Sequence, residues 1–173
     1  MPKNMNSKAL FFVGLILIAV VSRWIPHAPN WTPILGLALF AGFRITNKWF
    51  ALGVPLAAMV ISDAVLGFHN TSWAVYSALA LIALLPLLAQ SLTLTTGIAL
   101  SAVANIGFFA ITNFAVWLSS GMYAKTLAGL WQAYVMALPF LTGTFASTIL
   151  SLALFYGLER AAQAIGAQQT AIK

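Results

Sequence analysis

From Phe50 to Ile61 the chain runs twelve residues without a charged or amide side chain, and similar runs cover most of its length. No water-soluble domain can expose stretches of that kind. Only 6% of the 173 residues are charged and 62% are hydrophobic, whereas about a quarter of a soluble domain is charged. The chain therefore reads as an all-α integral membrane protein, because a helix satisfies its own backbone in lipid. At ~20 residues per crossing plus short loops, its length suits a single membrane domain, 1–173.

The spacing of apolar runs and breakers predicts six spans, at about 9–25, 33–43, 49–67, 73–89, 92–118 and 139–158. Lys3 and Lys8 before the run from Ala9 to Val21 resemble a signal peptide. No A-x-A site follows, so a retained first span is expected. Pro26, Pro29 and Pro33 forbid a regular helix between spans 1 and 2. Span 2 is short, ~17 Å at 1.5 Å per residue, against a ~30 Å hydrocarbon core. Gln90-Ser91 is a polar link. The apolar stretch from Thr126 to Arg160 would reach ~52 Å as one helix. Pro139 is expected to divide it into a short interfacial helix, 126–138, and span 6. Small or polar residues recur four apart at Gly97, Ser101 and Asn105 and at Gly143, Ser147 and Ser151, which suits close helix contact.

The net charge is +6. The basic residues stand singly between apolar runs, which orients a membrane protein rather than binding nucleic acid. With six spans and both termini cytoplasmic, Lys3, Lys8, Arg44, Lys48, Arg160 and Lys173 fall inside. Only Arg23 and Lys125 fall outside, in keeping with the positive-inside rule.

The chain has two acids. Glu159 stands beside Arg160 and is read as unexceptional. Asp63 ends an apolar run, where a carboxylate is costly and faces a bundle interior or a wet cavity. The expected topology collects the unusual residues on the outer side. His27 and Asn30 lie in the first outer loop, Asp63 near the outer end of span 3, and His69 just beyond. Asn113 and Trp117 lie near the outer end of span 5, with Tyr123 after it and Trp131 and Tyr134 on the short helix. Such one-sided collection suits an aromatic-lined pocket with a few convergent polar groups. An ion pair between Asp63 and Arg23, for structure alone, is the plainer reading.

Absent motifs narrow the function. The chain has no P-loop, no H-E-x-x-H and no G-x-S-x-G. Without cysteine it has no disulfide, thiolate metal site or cysteine nucleophile. The spans lack the several charges of a proton relay or pump. The leading expectation is a substrate-capture subunit for a flat heterocycle or cation, with no cofactor and no enzymatic activity of its own. Divalent-metal binding through His27, Asp63 and His69 is an alternative. An intramembrane enzyme using a histidine base, or a scaffold without ligand, are the others.

Several blocks carry a resemblance: Arg23 through Pro33, Ala38 through Gly42, Ser62 through His69, Thr112 through Tyr123, and Ala137 through Phe140. Together they resemble an uncharacterised family of small bacterial membrane proteins. That family is grouped with the substrate-binding S components of energy-coupling factor (ECF) transporters. The resemblance implies an S-component-like six-transmembrane-helix bundle in the bacterial cytoplasmic (inner) membrane, with a vitamin-like or metal substrate bound near the outer face. It also implies a partner module of one transmembrane scaffold and two ATPases.

Overall fold

The computed structural model describes residues 5–89 and 91–171. Lys3, Gln90 and Lys173 lie outside the described residues. Six α-helices and one short 3-10 helix make up the fold, with no strand among the described residues. They are α1 (Met5–Trp24), α2 (Ile34–Arg44), α3 (Lys48–Leu66), α4 (Ser72–Leu84) with the 3-10 turn Leu85–Leu88, α5 (Leu94–Ser119) and α6 (Leu127–Ala171). Four helices, α1, α3, α5 and α6, are long and apolar enough to cross a membrane. The chain is thus a helical protein of membrane type.

Local chemistry explains most boundaries. Asn47 caps α3, its side chain accepting from the Trp49 amide at 3.0 Å. Gly67, with φ of 95°, ends α3 in a conformation that β-carbon-bearing residues avoid. Thr93 and Thr96 form a reciprocal capping box at the start of α5. Thr126 caps α6 by accepting from the Gly129 amide at 3.1 Å.

The expected break at Pro139 does not occur: α6 is one 45-residue helix with Pro139 inside it, ~67 Å long at 1.5 Å per residue. The interfacial helix 126–138 and span 6 are therefore one element. Proline costs one backbone bond, which neighbouring helices and side-chain hydroxyls make tolerable in an apolar bundle.

The short α2 is the centre of the fold. Ile34 through Ala41 are all buried, and a helix apolar on every side belongs inside a bundle. It packs against α3, α4 and α6. Close approach is made possible by glycine. A β-carbon at Gly42 would run into the Ala83 carbonyl and the Pro86 ring, and one at Gly36 into Ser151. Phe40 sits among Phe11, Phe12 and Phe155, with ring centroids about 6 Å apart. The small-residue stripe on α6 faces α2 and the proline loop: Gly143 lies against Trp31, and Ser147 Oγ donates to the Asn30 carbonyl at 3.2 Å.

Contacts fix the heights of the helices. Gly36 and Arg44 on α2 meet Ser151 and Glu159 on α6, so those two run parallel. α5 runs antiparallel to α6, with Gly97 near Leu152, Asn105 bonded to Thr148, and Ala110 bonded to Tyr134. The loops 25–33 and 67–71 therefore share one end of the bundle, and the α5–α6 loop 120–126 lies further out on the same side.

Candidate functional site

At the proline-loop end, side chains from α1, the 25–33 loop, α2, α3, the 67–71 loop, α4, α5 and α6 surround a cavity of about 350 Å³. That volume lies within the range of small-molecule sites. Its polar lining is Arg23, His27, Asn30, Thr32, His69 and Thr144. Its apolar lining includes Met59, Leu66, Val75, Leu79 and Phe108.

The loop over this cavity is rigid by sequence. The Trp31 amide donates to the Ala28 carbonyl at 3.1 Å, and Asn30 has φ of 62°. Pro29 followed by an asparagine at positive φ is the pattern of a type II turn. Trp31 against Gly143 and Asn30 against Ser147 then pin the turn to α6.

Asp63 does not face the cavity directly. It is 1% exposed, and both of its oxygens are engaged. Oδ1 accepts from Arg23 Nη2 at 2.6 Å and Oδ2 from the Tyr76 hydroxyl at 2.7 Å. The other Arg23 amino group, Nη1, contacts the Met59 thioether, and its Nε–H is buried with no partner. The carboxylate thus fixes a guanidinium at the cavity wall.

The two histidines stand differently. His27 is exposed, and its Nδ1 donates to the Ala28 carbonyl at 2.8 Å. His69 precedes α4. Its backbone N–H donates to Ser72 Oγ at 3.1 Å, and Ser72 Oγ lies 2.5 Å from its Nδ1. Ser72 Oγ can accept the amide and at the same time donate to Nδ1, and in that arrangement Nε2 carries the proton.

No cluster of three His, Asp or Glu that could hold a metal ion occurs among the described residues. His27, Asp63 and His69 are thus not assembled as a ligand set; the Asp63 oxygens are committed to Arg23 and Tyr76.

The remaining residues singled out in the sequence lie elsewhere. α5 continues eleven residues past Phe108, so Trp117 is ~14 Å further along its axis. Likewise Trp131 is ~20 Å along α6 from Thr144. Asn113 bonds the Phe109 carbonyl on its own helix at 2.8 Å. Trp117 Nε1 donates to the Ala124 carbonyl at 2.9 Å, and Lys125 contacts the Trp117 carbonyl. Tyr134 bonds Ala110 and packs on Phe109, Tyr123 is half-buried in the loop, and Trp131 is 71% exposed. These five lie on the α5–α6 hairpin and do not line the cavity.

Glu159 was misjudged from the sequence. It is 1% exposed and pairs with Arg44, whose Nε donates to Oε2 at 2.8 Å. The Arg44 guanidinium also lies 5.7 Å from the Phe40 ring centroid and 5.6 Å from that of Tyr156. Both acids of the chain are therefore buried in ion pairs, one toward each end of the bundle.

No curated protein and no solved structure matches the chain. One family profile does, described as a family of unknown function (DUF6580), over residues 3–169. With a match across nearly its whole length, the chain belongs to the DUF6580 family.

Proposed function

We propose that the protein is the substrate-binding component of a small-molecule uptake system, capturing its ligand in the cavity beneath the proline loop. The observation that carries this reading is the cavity itself. Six helices and two loops converge on one pocket at one end, and its polar and apolar linings are mixed as an organic ligand requires. A rigid loop crosses it, so little ordering entropy is lost on binding.

In this reading all six helices cross or occupy the membrane, as in ECF S components, and both termini are cytoplasmic. The cavity then opens outward. Most basic residues of the sequence then fall at the opposite, cytoplasmic end, in keeping with the positive-inside rule. The chain carries no nucleotide-binding motif, and energy comes from a scaffold and ATPase module.

The orientation is testable because the chain has no cysteine of its own. Asn30→Cys is expected to react with a membrane-impermeant maleimide in intact cells. Lys48→Cys is expected to react only after permeabilisation. The reverse pattern would rule out capture from outside.

A further inference from the structure

We infer that the ligand is a small organic carboxylate with an apolar body, held by Arg23 and His69. The inference rests on the capture reading and adds the chemical class. It replaces the expectation of a flat heterocycle or cation on an aromatic wall, because Phe108 is the one aromatic ring besides the histidines among the lining residues.

The balance of charges decides the sign. A cation needs a carboxylate or a cage of aromatic faces, and the cavity lining contains no carboxylate and a single phenyl ring. Asp63 is buried with both oxygens bonded, and Glu159 pairs with Arg44 near the far end of the bundle. Arg23, in contrast, lines the cavity with one amino group, Nη1, that has no oxygen acceptor. A guanidinium carries five N–H groups. Here Asp63 supplies the one oxygen acceptor, to Nη2, and Met59 supplies only sulfur, to Nη1, while Nε–H is buried without an acceptor among the described residues. Thioether sulfur is a weak acceptor, and methionine is flexible enough to move aside. A carboxylate oxygen replacing that sulfur would gain a charge-assisted bond.

His69 adds a second donor. In the tautomer in which Ser72 donates to Nδ1, Nε2–H faces no partner among the described residues and is free to donate to a ligand. Thr32 and Asn30 supply further hydroxyl and amide groups at the rim. Met59, Leu66, Val75, Leu79 and Phe108 leave the rest of the volume for an apolar body. One partly compensated guanidinium suits a monoanion, since desolvating a doubly charged phosphate would cost more.

The test uses the full-length protein in lipid nanodiscs and matched acid–amide pairs: benzoate with benzamide, nicotinate with nicotinamide, and hexanoate with hexanamide. Hexylamine serves as the cation. Binding is read by ligand-observed NMR at millimolar concentration. At least one acid is expected to bind about tenfold or more tighter than its amide, and His69→Ala to weaken it about tenfold. Arg23→Gln alone strands Asp63, so the double variant Arg23→Gln with Asp63→Asn is the informative one. It is expected to fold and to lose the preference for the acid.

Thr32→Trp, which places an indole in the cavity, separates the two levels of the claim. If an amide or hexylamine binds as well as the acids and Thr32→Trp abolishes it, the carboxylate inference fails and the capture reading stands. If acids bind equally to wild type and Thr32→Trp, both fail. If no member of the panel binds, the carboxylate inference is overturned.

Discussion

Asp63→Ala is expected to destabilise the fold by about 3–5 kcal/mol, the usual cost of stranding one partner of a buried ion pair. Arg23 would keep its charge against Met59 with no carboxylate opposite it. Tyr76 would lose the acceptor of its hydroxyl as well. The loss should appear as a lower midpoint in heat or detergent unfolding. Arg23→Gln with Asp63→Asn should recover most of it, because two neutral amides can bond each other and leave no buried charge. If Asp63→Ala melts like wild type, the pair has little structural weight and the positioning of Arg23 must come from elsewhere.

Glu159→Ala has the second-largest expected effect, about 3 kcal/mol. The value sits at the low end because the Arg44 side chain is 22% exposed and retains the faces of Phe40 and Tyr156. Glu159→Gln keeps an acceptor and should cost less than alanine. Since α2 is the centre of the bundle, the loss should spread beyond its last turn. Backbone amides of α2 should exchange faster in Glu159→Ala than in wild type. Unchanged exchange there would show that the pair only decorates the end of α2.

Much of the architecture was legible because lipid allows so few solutions. Apolar run lengths and the positions of Gly67 and the prolines placed most helix boundaries within a few residues. α2 was legible as too short to cross alone, but not as the core. That role follows from its neighbours, since nothing in an eleven-residue apolar run states what surrounds it. Pro139 was misleading for a physical reason: a lost backbone bond ends helices in water but is readily absorbed inside an apolar bundle.

The site was half legible. Topology alone brings His27, Asn30, Asp63 and His69 to one end. It does not give depth, and Asn113 with the aromatic residues Trp117, Tyr123, Trp131 and Tyr134 lies further along a hairpin that outruns the other helices. Arg23 as a lining residue was readable only as the counter-ion of Asp63, not as a group facing a ligand. Glu159 was missed by attention to its sequence neighbour. Adjacent residues on a helix do not face each other, so Arg160 was never its natural partner. A useful signal was Arg44 at the end of a short helix apolar on every side, where a buried charge needs an opposite one.

The most direct measurement is native mass spectrometry of the protein taken from its membrane with surrounding lipid, wild type beside Thr32→Trp. Occupation of the cavity predicts a small organic species of one fixed mass on the wild type, negatively charged when released, and its absence from Thr32→Trp. A wild-type spectrum without any adduct, or the same adduct on both proteins, would contradict capture in this cavity.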